Sequence, residues 1–237
     1  MKRLKEICEQ LNIDISDYQV SQFETYYEML IEKNKVMNLT AITEKEDVII
    51  KHFIDSIAVI QYLKDNGLSE LNSIIDIGTG AGFPGIPLKI MIPDVNITLL
   101  DSLNKRIKFI EEVVSEIKLS NVNAIHGRAE DFANDKVYRE QYDLCVSRAV
   151  ANLSTLSEYC IPFVKKGGLF VSYKAGDSEE EINNSKNAIK LLGGKISKVE
   201  NFILPNNDSR AFVIVKKINN TEKKYPRKAG VPAKNPL

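Results

Sequence analysis

Apolar residues recur at helical spacing through the first quarter of the chain. Leu4, Ile7, Cys8 and Leu11 fall at i, i+3, i+4 and i+7, and Val20, Phe23, Tyr27 and Leu30 repeat the stripe. Thr43-x-x-Glu46 has the form of a capping box ahead of a third stripe, Val48, Ile49, Phe53, Ile57 and Ile60. Asn34 to Thr40 reads as a turn-like connection between helices. From residue 73 the period shortens. Short apolar runs (74–77, 96–100, 122–125, 144–146, 169–173) alternate with helical patterns over 86–91, 103–118, 154–160 and 178–192. Two further strands are expected near 196–203 and 211–216. Strands alternating with helices predict a doubly wound, mostly parallel sheet. Only Leu204 to Arg210 joins the last two strands, too little for a crossover helix, so the last strand is expected to run antiparallel.

Composition narrows the class. With 237 residues, 43% apolar and 27% charged, the chain has the make-up of a globular protein and is long enough to bury a core without staples. No apolar run reaches the ~20 residues of a membrane span, and the charged N-terminus lacks a signal-peptide core. A cytoplasmic protein without a membrane contact is expected. Three separated cysteines (Cys8, Cys145, Cys160) and two histidines argue against disulfides and against a metal site. The formal charge is zero, yet residues 216–237 carry 7 basic groups against 1 acidic. A polyanion would meet the chain there. Three regions are expected: helices over 1–63, the α/β domain over 64–217, and a basic, proline-punctuated, mobile tail over 218–237.

The candidate chemistry begins at Asp76-Ile77-Gly78-Thr79-Gly80-Ala81-Gly82-Phe83-Pro84-Gly85, where the first strand hands over to a helix. Glycines there let backbone approach a ligand. Phe83 stands where a dinucleotide loop has its third glycine, so phosphate binding fits poorly. S-adenosylmethionine has no phosphate; its amino-acid end can bond loop backbone while an acid such as Asp76 meets its ammonium. Asp101 ends the second strand, where a carboxylate can meet a ribose. Gly127-Arg128-Ala129-Glu130-Asp131 follows the third strand, and residues there could meet the adenine edge. Together with the antiparallel last strand, this is the pattern of a class I S-adenosylmethionine-dependent methyltransferase: a Rossmann-like, seven-stranded sheet with an N-terminal helical appendage. The end of the fourth strand, Ser147-Arg148-Ala149, lacks the Asn/Asp-Pro-Pro-aromatic motif of amino-group methylation. Cys145 and Cys160 read as buried hydrophobes rather than nucleophiles.

The chain resembles the glucose-inhibited-division-protein-B (GidB, RsmG) family of bacterial methyltransferases nearly end to end. The matching segments are Asn34-x-x-x-Asn38-Leu39-Thr40, His52-Phe53-Ile54-Asp55-Ser56, Asp76 through Leu88, Asp101-Ser102-x-x-Lys105-Arg106, Gly127-Arg128-Ala129-Glu130, Ser147-Arg148-Ala149, and Tyr225-Pro226-Arg227-Lys228-x-Gly230-x-Pro232. The resemblance implies methylation of guanine N7 in 16S ribosomal RNA of the small subunit. It also implies cofactor contacts at Gly78, Phe83, Ala129, Glu130 and Arg148, with Asp76, Gly80 and Asp101 completing the set.

Guanine N7 has a lone pair and no hydrogen, so its methylation needs alignment rather than a general base. Arg148, Arg210 and Arg128 are the candidates to position the base, each with a phosphate clamp or surface ion pair as the plainer role. Asn34 and Asn38 could position RNA or merely cap a loop. Lys105, Arg106 and Lys108 could meet phosphate or form a solvated face, and His52 is structural or catalytic. Of Tyr26 and Tyr27, one is expected in the core and one on the surface. In the tail, Lys223, Lys224, Arg227, Lys228 and Lys234 either dock RNA or keep the tail soluble. A monomer is expected. The competing readings are a methyltransferase with a protein or small-molecule substrate, a non-catalytic cofactor-binding module, and a distant NAD-dependent oxidoreductase.

Overall fold

A computed structural model describes residues 1–65, 71–148 and 151–237. The seven strands are β1 (Ser73–Ile77), β2 (Asn96–Asp101), β3 (Val122–His126), β4 (Tyr142–Arg148), β5 (Val164–Ala175), β6 (Gly194–Ile203) and β7 (Ser209–Lys217). They form one sheet in the order β3-β2-β1-β4-β5-β7-β6. Strands β1 to β5 pair in parallel, while β7 is antiparallel to both β5 and β6, as the short connection requires. The reversal in chain order falls beside β1, so the strand ends there open a crevice.

Period-two alternation sorts the sheet residues onto two faces. Ile74, Leu144, Val171 and Ile214 enter one core, whereas Ile75, Cys145, Phe170 and Val215 enter the other. The N-terminal helices cover the first face. Leu4, Ile7 and Cys8 of α1 (Lys2–Gln10) and Phe23, Tyr26 and Leu30 of α2 (Asp17–Met37) share that core with the strands. Tyr26 is therefore the core tyrosine, and Tyr27 packs only partly against it. The second face takes α9 (Leu153–Cys160) and α10 (Glu179–Leu191). The other helices among the described residues are α3 (Lys45–Val48), a π-helical stretch Ile49–Ile54, α4 (Asp55–Ile57), α5 (Val59–Asp65), α6 (Gly85–Met91), α7 (Asn104–Glu116), α8 (Ala129–Phe132), a 3-10 turn Ile161–Phe163 and α11 (Val231–Lys234).

Three local expectations change. Asn34 to Met37 are helical, and the turn starts at Asn38, whose left-handed φ of 49° ends α2. The capping box lies at Ser16-x-x-Gln19, not at Thr43-x-x-Glu46. The Gln19 amide N–H donates to Ser16 Oγ at 3.2 Å and Gln19 Oε1 accepts the Ser16 amide N–H at 2.9 Å, while α3 has no side-chain cap. The tail has little regular structure, yet the body holds it. Arg139 donates to the carbonyls of Thr221, Glu222 and Tyr225, and Thr155 Oγ1 donates to the Pro232 carbonyl.

Candidate active site

The glycine loop leaves β1 with Gly78, Gly80 and Gly82 all at positive φ. At Gly82 the requirement is double. Its φ is 105°, and a Cβ there would lie 2.9 Å from the Tyr26 hydroxyl oxygen. Tyr26 OH in turn donates to the Ala81 carbonyl at 2.7 Å, so a helix of the N-terminal cover fixes the loop from behind. Asp76 braces it from below. Its Oδ2 accepts from Thr79 Oγ1 at 2.7 Å and from the Gly85 amide at 2.8 Å, while its Oδ1 is buried with no hydrogen-bond partner. Burial pushes the Asp76 carboxyl up to about 7, against the pull of those two donors.

Beside the loop lies a cavity of about 390 Å3. Its lining includes Ile77, Gly78, Leu100, Asp101, Arg128, Ala129, Glu130 and Tyr159. Asp101 is fixed by three donors: the Gly80 amide at 2.9 Å and Arg106 Nη1 at 3.2 Å on Oδ2, and the Leu103 amide at 2.9 Å on Oδ1. Arg106, a candidate for RNA phosphate or a solvated face, is tied to a buried carboxylate. Lys105 reaches the Met37 carbonyl at 3.3 Å. Glu130 is buried at the start of α8 and accepts the Gly230 amide N–H at 3.0 Å. Arg128 caps α8 through its backbone and is exposed.

A second cluster gathers at the end of β4. Arg148 donates to Asp55 Oδ2 at 2.9 Å, to the Lys51 carbonyl at 3.1 Å and to His52 Nδ1 at 3.2 Å. Its guanidinium lies 5.1 Å from the centre of the Phe83 ring, on which His52 stacks at 4.6 Å. Phe83 is only 5% exposed, enclosed by these two groups and by Tyr26. Arg210 enters from β7, with Nε 3.3 Å from Asp55 Oδ1 and Nη2 3.2 Å from Asp208. His52 Nδ1 also lies 3.2 Å from the Lys51 carbonyl, and Nε2 pairs with Thr40 Oγ1 at 2.8 Å, so both ring nitrogens are engaged. Burial, then the Arg148 charge, lower His52 to about 4, so it is neutral near pH 7. Burial raises Asp55, and the two arginines offset that only in part. The segment Asn34 to Thr40 serves this cluster. Asn34 brackets Thr40 with two 2.9 Å bonds to its backbone, so its side chain does the loop-capping work, and Asn38 supplies the left-handed turn.

Arg227, a candidate either to dock RNA or to keep the tail soluble, is turned inward onto the fully buried Glu158 at 2.6 Å. Lys228 remains exposed. Ala149 lies outside the described residues. Sequence reasoning missed Asp55, which sits three residues after His52 and therefore on the same helical face. The Glu158–Arg227 pair, 69 positions apart, has no local signal. Among the described residues no cluster of His, Cys, Asp and Glu could hold a metal, and no helix is long and apolar enough to cross a membrane.

The strand order, the reversed β7 and the crevice cavity define a class I methyltransferase fold. Solved structures share it. The crystal structure of a protein from Klebsiella pneumoniae described as a putative O-methyltransferase aligns with TM-score 0.57 at 11% identity, covering 91% of this chain and 96% of its own. The M. jannaschii TYW2 structure, in complex with AdoMet, aligns with TM-score 0.51 at 18% identity over 67% of this chain and 76% of its own. At such identities the likeness is one of fold. The chain itself belongs to the family described as GidB, rRNA small subunit methyltransferase G, whose model matches residues 19–213. The ribosomal RNA small subunit methyltransferase G of Alkaliphilus metalliredigens is 51% identical over 237 residues, 99% of this chain and 97% of its own. That of Clostridium botulinum strain Loch Maree is 50% identical over 235 residues, again 99% and 97%.

Proposed function

We propose that this chain transfers a methyl group from S-adenosylmethionine to N7 of a guanine in 16S ribosomal RNA of the small subunit. The observation that carries the reading is that the titratable groups gathered at the end of β4 are committed to one another. His52 is neutral with both nitrogens engaged, and Asp55 is held by two arginines. Such a site suits an acceptor that has no proton to lose. Guanine N7 offers an in-plane lone pair, so alignment and exclusion of water are the work required.

The residues fit the cofactor. Asp76 presents an unpartnered buried oxygen beneath the loop, the natural partner for an ammonium. Gly78 and Gly80 bring backbone close. Asp101 would meet the ribose and Ala129-Glu130 the adenine edge. Phe83 supports the loop from within. When bound, the cofactor supplies an activated methyl group. Arg148 and Arg210, drawn together by Asp55, would hold guanine O6 or an adjacent phosphate and leave N7 free. Arg128 lies exposed at the cavity's other side. Lys105, Lys228 and the other exposed tail lysines would meet phosphate. In this reading residues 1–63 form a cover, 64–217 the transferase and 218–237 a basic tail of a cytoplasmic, monomeric enzyme.

The test incubates the protein with isotope-labelled S-adenosylmethionine and small subunits, or naked RNA, from cells lacking the enzyme. Label in 7-methylguanosine after digestion to nucleosides is the expected result. Cofactor binding with no label in either RNA would overturn the reading.

A further inference from the structure

Apart from Lys228, the segment Tyr225 to Pro232 has no role in the reaction as derived above, yet the body grips it more firmly than its composition predicts. Glu158, on α9, is fully buried and is held by the backbone and the guanidinium of Arg227. The Arg227 amide reaches Oε1 at 2.7 Å, Nε reaches Oε1 at 2.9 Å and Oε2 at 3.1 Å, and Nη2 reaches Oε2 at 2.6 Å. A forked pair to a buried carboxylate fixes orientation as well as position. Three residues on, the Gly230 amide donates to Glu130 Oε1, and Gly230 itself lines the cofactor cavity. Tyr159, next to Glu158, lines the same cavity. The ion pair therefore stands directly behind the wall that Gly230, Glu130 and Tyr159 make.

We infer that the segment around Gly230 is a wall of the cofactor site, and that Glu158 and Arg227 are positioning residues that seat it there. The inference rests on the assignment of the cavity to S-adenosylmethionine. Neither residue lines the cavity. They act through Gly230 and Glu130, which would close the adenine end. Seating the wall and binding the ligand are then coupled. If the seated population falls to about one tenth, apparent affinity falls about tenfold, because only the competent fraction binds. The coupling also works in reverse: ligand must hold the segment down.

The experiment uses the full chain without RNA and S-adenosylhomocysteine as the probe. Calorimetry gives its affinity for the unaltered protein, for Glu158→Gln and for Arg227→Lys, which keeps the charge and loses the fork. In parallel, trypsin cleavage after Lys224, Arg227 and Lys228 is timed with and without the probe. Expected are a roughly tenfold loss of affinity in Glu158→Gln, an intermediate loss in Arg227→Lys, and slower cleavage whenever the probe is bound. A purely structural pair would lower thermal stability but leave the affinity of the folded protein and the ligand protection unmoved. If Glu158→Gln does not fold, Arg227→Lys carries both readouts. Unchanged affinity in the folded variants, or cleavage indifferent to the probe, would overturn the inference alone. Failure of the unaltered protein to bind the probe would overturn the cofactor assignment along with it.

Discussion

Asp55 and Arg148 meet at 2.9 Å across the junction of the N-terminal cover with the end of β4, and both are largely shielded from water. Asp55's other oxygen faces Arg210, so one carboxylate holds two guanidinium groups from strands far apart in the chain. Removing that carboxylate takes the anion from Arg148 and leaves Arg210 with only the more exposed Asp208. Asp55→Ala is expected to destabilise the protein by about 3 kcal/mol, the cost of breaking a buried pair. Denaturant unfolding measures it, and a change under ~1 kcal/mol would show that water already screens the pair.

Arg210 is the more exposed of the two arginines and sits on the strand away from the cofactor cavity. Arg210→Ala is expected to leave S-adenosylhomocysteine affinity within about twofold while lowering methyl transfer roughly 100-fold, the scale of losing substrate alignment. Single-turnover transfer beside a binding titration separates the two effects. Normal turnover would remove Arg210 from the site.

The Asp76 carboxyl, raised to about 7, binds its proton more tightly folded than unfolded. Its contribution to stability is full below the unfolded value near 4 and is lost as pH rises toward 7. Asp76→Asn has no such proton. The variant's stability relative to the unaltered protein should therefore rise between pH 4 and 7, by up to about 1.4 kcal/mol per pH unit, and level off above. His52 contributes in the opposite sense over the same range, but it is present in both proteins and cancels in the difference. Parallel unfolding curves from pH 5 to 8 test this. A flat difference would mean that Asp76 is ionised throughout.

His52 is lowered to about 4 and should show no imidazole titration between pH 5.5 and 8 by NMR. A His126→Gln variant assigns the signal. The rate of methyl transfer should carry no inflection from His52 in that range. A midpoint above 6 would reopen a proton-transfer role.

The exposed lysines of the tail make a separate prediction. Lys223, Lys228 and Lys234, all changed to Ala, should flatten the salt dependence of RNA binding by about 0.7 in log–log slope for each phosphate that the tail no longer neutralises. Cofactor affinity should stay as it was. An unchanged slope would take the tail off the RNA.

The sheet was legible because its signals are local. Ile74 and Ile75 point to opposite faces by the period of a strand alone, and the short stretch between β6 and β7 leaves no room for a helix. The crevice at the strand ends was legible for the same reason: Asp76, Asp101 and Glu130 each stand at a strand end or just beyond one. The arginines carried less information. Nothing near Arg227 in the chain foretells Glu158, and nothing near Arg106 separates a partner of Asp101 from a contact to phosphate. The Thr43 box failed because α3 starts one residue later, with Glu44 at its N-cap and no side-chain cap, whereas Ser16 stands at the N-cap of α2 and closes the same pattern.

Tyr26 belongs to the N-terminal cover, yet its hydroxyl holds the loop that starts the transferase, and its ring sits in the same core as Ile74 and Leu144. The cover is thus no exchangeable cap. A chimera that grafts another protein's helices onto this sheet would lose the support of its own glycine loop. New specificity in such a scaffold has to be introduced one side chain at a time, with the shared core left whole.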